Sequence, residues 1–403
     1  MDVKQILKRL LATLGKTNPD DPPLKARRRL IIFGAGIGFF VLFQLLTQFP
    51  WLVESVFGRT ISPVLVRSLS AVTGVVGFSV LEWLLIFYFA LWWYSFWRLF
   101  MDVRHKKRSV KNALSDVGLR SLRDIGVIVT VFYVVWGFNY ARPPLRERLQ
   151  WPDWQSPETE ELDRLATLSV GWANEAYHEL HGTDDTGLPT GFPEDPAVID
   201  AALEEGFKKA VDRFGLQPSM AWTYPRVKYP MTGHLMARFS TAGFFFPWTG
   251  ETNVLGDMPA MSRPMSMAHE KAHQRGTGPE LEATFLGFIA AIEAPHPLPR
   301  YSAAVYAMRS LVGTLYRVDP ERAMELVGMR VNGISRDLED LGRYWNQFSG
   351  PANAIGRAVN DRYLRMNRVH GGVASYSMAV QLLITFLEET DIEEVGGEQE
   401  PGS

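Results

Sequence analysis

The chain has 403 residues, of which 46% are hydrophobic and 21% charged, with a formal net charge of −2. That length holds a membrane part and one sizeable soluble domain, and the near-balanced charge excludes a strongly basic nucleic-acid binder. There is no cysteine, which excludes disulfides and thiolate ligands, so any zinc must be held by histidine and carboxylate.

Residues 1–30 form a polar, basic tail carrying Lys4, Lys8, Arg9, Lys16, Lys25, Arg27, Arg28 and Arg29. Asn18-Pro19 and Pro22-Pro23 break any long helix there. Residues 31–49 are almost wholly apolar and long enough to cross a bilayer, with Trp51 expected at the interface. A short interfacial helix is expected at 62–73. A second span, rich in Phe, Trp and Tyr, covers about 75–97; Glu82 inside it reads as an interface residue or a contact to the soluble domain, the first being favoured. Residues 98–123 are again basic, and the apolar run 125–138 extends to a third span of about 123–140. The tail and the second loop are basic while the first loop is not, so the N-terminus is expected in the cytoplasm and everything after residue 140 outside. No cleavable signal peptide is expected, because the first apolar run begins late and lacks a small-residue cleavage site.

Pro143-Pro144 marks the start of a soluble domain over 141–389. Helices are expected at 157–181 and 196–214. The first ends in His178-Glu-Leu-His181, a pair three apart that lacks the spacing of a catalytic site. Over 222–258, Tyr, Trp, Phe, Thr and Val mix with Gly and Pro, which predicts short strands and a hairpin at 242–254. From residue 280 the chain reads as helical: 280–293, 300–317, 320–329, 333–348, 351–366 and 373–389. Residues 390–403 read as a disordered acidic tail. No fixed-period repeat is present.

The stretch that carries chemistry is Met267-Ala-His269-Glu270-Lys271-Ala272-His273-Gln274-Arg275-Gly276. On a helix, His269 and His273 share a face and can hold one metal ion between them, with Glu270 placed to take a proton from a metal-bound water. Met265, Met267, Ala268 and Ala272 give the apolar flank of a partly buried helix, Gly276 a C-terminal stop, and Lys271 is expected to point away from the metal. A site of this type needs a third protein ligand. Glu280 and Glu282 are the nearest carboxylates; residues two apart point about 200° apart on a helix, so they cannot both face the metal.

The arrangement resembles the gluzincin peptidases, in which a Glu on a second helix completes the zinc site and, in several membrane-bound members, opens a Glu-x-x-Ala-Asp motif. Glu280-Leu-Glu-Ala283-Thr284 matches it except that Thr stands in place of Asp. The resemblance implies Glu280 as ligand and Thr284 as its support, with Glu282 the alternative. It also implies an edge strand that binds extended peptide, which makes Gly243, Phe244, Phe245, Thr249 and Glu251 substrate-binding candidates. It further implies a His or Tyr donor to the developing oxyanion, for which His370 and Tyr376 are the candidates and His234 a further one.

Four stretches, Trp136-Gly-Phe-Asn139-Tyr140-Ala-Arg142-Pro143, Gly243-Phe-Phe-Phe-Pro247-Trp-Thr249-Gly250-Glu251, the His269–Gly276 stretch, and Asn360-Asp361-Arg-Tyr363-Leu364 with Gly372-Val-Ala-Ser375-Tyr376, are similar to an uncharacterised bacterial membrane family, the domain of unknown function numbered 3810, regarded as zinc peptidases. The expected fold class is therefore a mainly α membrane protein: three N-terminal transmembrane helices, then an α-rich (α+β) zincin-like extracytoplasmic domain with a small β segment. The expected function is a zinc metallopeptidase of the bacterial cytoplasmic membrane, with one Zn2+ per chain on His269, His273 and Glu280 and Glu270 as general base. Its expected partners are the lipid bilayer and a protein or peptide substrate. The alternatives are a non-catalytic sensor or scaffold and a zinc hydrolase acting on a non-peptide envelope component.

Overall fold

The computed structural model describes residues 23–152, 157–351 and 376–389. The chain is mostly helical, and its described strands form one two-stranded sheet. Three long helices open it: α1 (Pro23–Leu46), α3 (Val80–Arg104) and α4 (Val110–Val135), with α2 (Ser62–Thr73) between the first two, at the bounds the sequence predicts. By length and composition two of the described helices are apolar enough to cross a membrane, over Lys25–Leu46 and Val80–Arg104. The outer faces of both carry large exposed apolar side chains, such as Phe87, Phe89 and Trp93 on α3.

The third expected span, 123–140, is corrected: residues 123–135 are the second half of a longer helix, and Gly137–Ala141 form a separate 3-10 turn. Helix α4 begins at Val110, and its first half carries Lys111, Asp116, Arg120, Arg123 and Asp124. It runs parallel to α1. Arg29 pairs with Asp116 at 2.6 Å near the start of both helices, and Phe43 stacks near Tyr133 with ring centroids 5.0 Å apart further along. Between these contacts the two backbones touch: a Cβ on Gly126 would lie 2.5 Å from the Ile32 carbonyl oxygen. Helix α3 joins the pair through Tyr88 and Trp92, whose side chains both donate to Asp124. The basic ends of α1 and α4 thus share one end of the bundle, opposite the remainder of the chain.

That remainder is bolted to the bundle by carboxylates. Of the two readings of Glu82, the less favoured one, a contact to the soluble domain, is formed: its carboxylate accepts from the backbone N–H groups of Met231 and Thr232 and from the Thr232 hydroxyl. The reason is burial. Glu82 is only 6% exposed, and an acid so enclosed must find donors. In the reverse direction, Glu251 accepts from the N–H groups of Val80 and Leu81, the unsatisfied donors at the start of α3, and from Lys228. Arg142 is buried and donates to Glu54, Gln217 and the Gly276 carbonyl.

The larger part contains α5 (Thr159–His181), α6 (Ala197–Phe214), α7 (Arg263–Gln274), α8 (Glu280–Ile292), α9 (Pro297–Leu315), α10 (Pro320–Gly328), α11 (Asn332–Asn346) and α12 (Tyr376–Glu389). Helix α8 is its axis. Every residue from Ala283 to Ile292 is buried, as expected of a helix apolar all round. It crosses α6 at backbone contact, since a Cβ on Gly206 would meet the Ala290 carbonyl. The hairpin pairs β1 (Gly243–Phe246) with β2 (Glu251–Val254) in antiparallel register, Gly243 opposite Val254 and Phe246 opposite Glu251. The expected helix 351–366 and the tail 390–403 lie outside the described residues.

Candidate metal centre

Helix α7 starts with a proline in its first turn and buries Met265, Met267, Ala268 and Ala272 on its inner side. It ends at Arg275, and Gly276 follows with φ +90, a conformation that costs glycine least. This reversal lets α8 begin only four residues later, with Pro279 as its N-cap and Glu280 as its first residue. The short spacing between His273 and Glu280 is satisfied in this way. Close approach of the helices completes it: a Cβ on Gly287 would lie 2.8 Å from the His269 backbone nitrogen.

The result brings three donors together. His269 Nε2 lies 3.1 Å from Glu280 Oε2, His273 Nε2 lies 3.6 Å from the same oxygen, and the two Nε2 atoms are 3.1 Å apart. His269, His273 and Glu280 form a cluster able to hold a metal ion, their donor atoms all within 4.8 Å of one another. The opposite ring nitrogens are tied down, His269 Nδ1 to the Thr284 hydroxyl at 3.1 Å and His273 Nδ1 to the Thr277 carbonyl at 2.6 Å. Protonated Nδ1 atoms leave both Nε2 lone pairs for a ligand-binding role. Thr284 in turn donates to the Glu280 carbonyl.

The choice between the two carboxylates is decided by direction. Glu282 points to the far side of α8, where it accepts from the Leu145 N–H at 2.8 Å and from Arg148 at 2.6 Å. Glu270 lies at the cluster and is buried. Burial pushes its carboxyl above the usual carboxylate range, against the pull of the two histidines and of a hydrogen bond from the Phe245 N–H. For Glu280, burial acts upward too, but the His273 charge and the hydrogen bonds from both imidazoles hold it well below that range. Burial lowers His273, yet Glu280 outweighs it and raises the imidazole to about 9.

Behind α7 lies a second charged layer. Lys271 does point away from the metal cluster, as expected, but it is fully buried and pairs with Glu204 at 2.7 Å and Asp200 at 3.2 Å. Arg275 pairs with Glu204 as well, at 2.8 Å, and lies over the Phe207 ring. Gln274 donates to the Gly250 carbonyl and ties the helix to the hairpin turn.

The hairpin residues divide. Gly243, Phe244 and Phe245 line a cavity of about 1400 Å³ together with His269, Glu270, His273 and Glu280. Gly243 is in backbone contact with the acid: a Cβ there would lie 2.8 Å from Glu270 Cγ. Leu255 N–H pairs with the Ala242 carbonyl, so the antiparallel alternation turns the N–H and C=O of Gly243 and Phe245 toward the outer edge of β1. Thr249 and Glu251 are not brought to the site. Thr249 is buried beside α2, where its carbonyl accepts from Thr73, and Glu251 caps α3.

Of the other candidates, His234 is exposed and faces Asp257 at 3.9 Å, away from the cavity. His370 lies outside the described residues; Tyr376 opens α12, and its side chain is also outside them. His178 and His181 turn to Asp184 and Thr190 and join no metal cluster among the described residues. Sequence reasoning missed three wall residues, Trp136, Tyr306 and Arg309. Trp136 stacks on Phe245 at 4.8 Å and edges His273 at 6.3 Å; its signal was the Trp-Gly-Phe-Asn-Tyr-Ala-Arg motif. Tyr306 and Arg309 sit in an ordinary helix pattern that carries none.

Fold and site together define a mostly helical protein with two membrane-length apolar helices and a partly buried His-His-Glu cluster. Residues 57–384 match the family described as a protein of unknown function (DUF3810), and the chain belongs to that family. No curated protein and no solved structure matches it.

Proposed function

We propose that this chain is a membrane-anchored zinc metallopeptidase of gluzincin-like construction. The observation that carries the reading is the geometry of His269, His273 and Glu280 beside a buried Glu270. Two ligands about 2.1 Å from one tetrahedral ion stand about 3.4 Å apart, and the three donor separations here are 3.1, 3.1 and 3.6 Å. An all-His and carboxylate set without thiolate suits zinc in a hydrolytic role.

Zinc, when bound, would supply a Lewis acid and lower the pKa of a coordinated water toward about 7. Glu270, its own proton affinity raised by burial, would accept a proton from that water and hand it to the leaving amine. The outer edge of β1 would hold an extended peptide by backbone hydrogen bonds through Gly243 and the Phe245 carbonyl, the Phe245 N–H being engaged by Glu270. Thr284 and the Thr277 carbonyl would keep the imidazoles in the productive tautomer.

The membrane reading takes α1, α3 and the apolar half of α4 as three spans. The basic ends of α1 and α4 lie at one end of the bundle, which supports a cytoplasmic N-terminus and an extracytoplasmic metal domain. The bilayer and a protein or peptide substrate are then the partners. The test is elemental analysis of purified protein with a peptide-cleavage screen, wild type against His269→Ala and Glu270→Gln. About one zinc per chain is expected in wild type and none in His269→Ala, with Glu270→Gln retaining zinc but losing cleavage. A wild type that takes up no zinc on reconstitution sinks the proposal.

A further inference from the structure

The cavity also carries a statement about the substrate, one that rests on the hydrolase reading above. The space that holds His269, Glu270 and Glu280 runs on between α1 and α4. Its walls there include Phe33, Ile37 and Phe40 from α1 and Ile125, Ile128 and Val129 from α4. The α1 residues share one helix face. Ile37, Ile125 and Ile128 are each 49% exposed, so the groove opens away from the protein on the stretch where α1 is of membrane-crossing character. Along α4 the wall continues from Ile125 to Trp136, roughly 16 Å at about 1.5 Å per residue. Trp136 then touches Phe245 of β1. An apolar path therefore links the outer face of the helices to the metal cluster.

We propose that the substrate is an acylated peptide, its hydrocarbon chain lying in the α1/α4 groove and its scissile amide reaching the metal cluster along β1. The rival occupant is a transmembrane peptide helix. Helices pack closely in membranes through small residues. In this groove the small residues are already engaged: a Cβ on Gly126 would strike Ile32 at 2.5 Å, and one on Gly36 would lie 3.0 Å from Gly126 Cα. What faces the cavity is Phe, Ile and Val bulk, between which a thin flexible chain fits and a third helix does not approach.

The experiment uses full-length, zinc-loaded Glu270→Gln protein in phosphatidylcholine nanodiscs. The probe is an N-palmitoyl peptide with a photoreactive diazirine in the acyl chain, and crosslinks are mapped by mass spectrometry. The expected label falls on residues 33–40 and 125–136. It drops about tenfold with unlabelled palmitoyl peptide at roughly ten times its Kd, and falls similarly when Val129→Trp or Ile37→Trp fills the groove from either wall. Label spread over the outer face of α3, at Trp83, Phe87 and Trp93, and insensitive to competitor would overturn the proposal. So would groove labelling by a diazirine-bearing transmembrane peptide but not by the acyl probe. Cleavage separates the two readings. If wild type cuts acylated and plain peptides equally well, the hydrolase stands and the acyl groove falls. A labelled groove in a protein that cuts neither leaves acyl binding supported and removes the hydrolase.

Discussion

Glu280 and Glu282 stand two residues apart, and neutralising each is expected to damage the protein in a different way. Glu280→Gln removes the one carboxylate from a cluster whose other members, His269 and His273, would bind a metal only as neutral imidazoles. Loss even of a group that merely supports a ligand costs about 10–100-fold in metal affinity, so loss of the ligand itself is expected to cost at least about 100-fold, or about 2.7 kcal/mol. The chelator-treated protein should also lose some stability, because Glu280 pairs with His269 and His273 when no metal is bound, but it leaves no buried partner outside the cluster unpaired. Glu282→Gln breaks a pair with Arg148 whose side chains are 7% and 9% exposed. Removing one partner of a buried pair costs about 3–5 kcal/mol; at about 2–4 °C per kcal/mol for a domain of this size, Tm should fall by about 6–20 °C. Its metal affinity should stay within about threefold of wild type, since the site itself is untouched. A chromogenic-chelator competition titration reads the affinity, and thermal unfolding of the metal-free protein in detergent reads the stability. Metal loss in Glu282→Gln with retention in Glu280→Gln would refute the argument outright.

Three further outcomes follow from the geometry. Gly243→Ala places a methyl 2.8 Å from Glu270 Cγ; the acid must shift, and cleavage should drop about 10–100-fold with zinc content unchanged, read by steady-state kinetics beside elemental analysis. Thr284→Val removes the partner of His269 Nδ1 and should weaken metal binding about 10–100-fold in the same chelator titration. For Glu204, burial acts to raise the carboxyl, but Arg275 and then Lys271 bring it from 4.5 down to about 2. A carboxyl depressed on folding stabilises fully above its unfolded value and loses that contribution as pH falls. About 3 kcal/mol should therefore disappear between roughly pH 4.5 and pH 2, at about 1.4 kcal/mol per pH unit. Denaturant titrations across that window measure it, and Glu204→Gln should flatten the dependence.

Much of this was legible in the sequence because it is local. Apolar runs long enough for a bilayer, the four-residue spacing of His269 and His273, Gly276 as a stop and the helices after residue 280 are all set by nearest neighbours along the chain. The start of α4 was not. An apolar run marks where a helix is greasy, not where it begins or ends, so the expected span 123–140 missed the first half of Val110–Val135 and ran on into the 3-10 turn that follows it. The quoted motif from Trp136 to Arg142 carried a signal without a location; its place against the end of α7, through Arg142 and the Gly276 carbonyl, exists only in three dimensions.

Local pattern could narrow the third ligand to two carboxylates, since a helix separates them by about 200°, but it could not say which face of α8 meets α7. That depends on Gly287 and Gly206 letting α8 press against both its neighbours. The same limit hid the roles of Glu251 and Lys271 and left two readings open for Glu82. Each is a charged residue in a segment with an ordinary surface or interface reading, and each is buried because its partner arrives from a distant part of the chain: Thr232 for Glu82, the start of α3 for Glu251, Glu204 for Lys271. The sequence alone determined which residues have the chemistry. Tertiary packing decided which of them meet, because burial and partnership are properties of space and not of order along the chain.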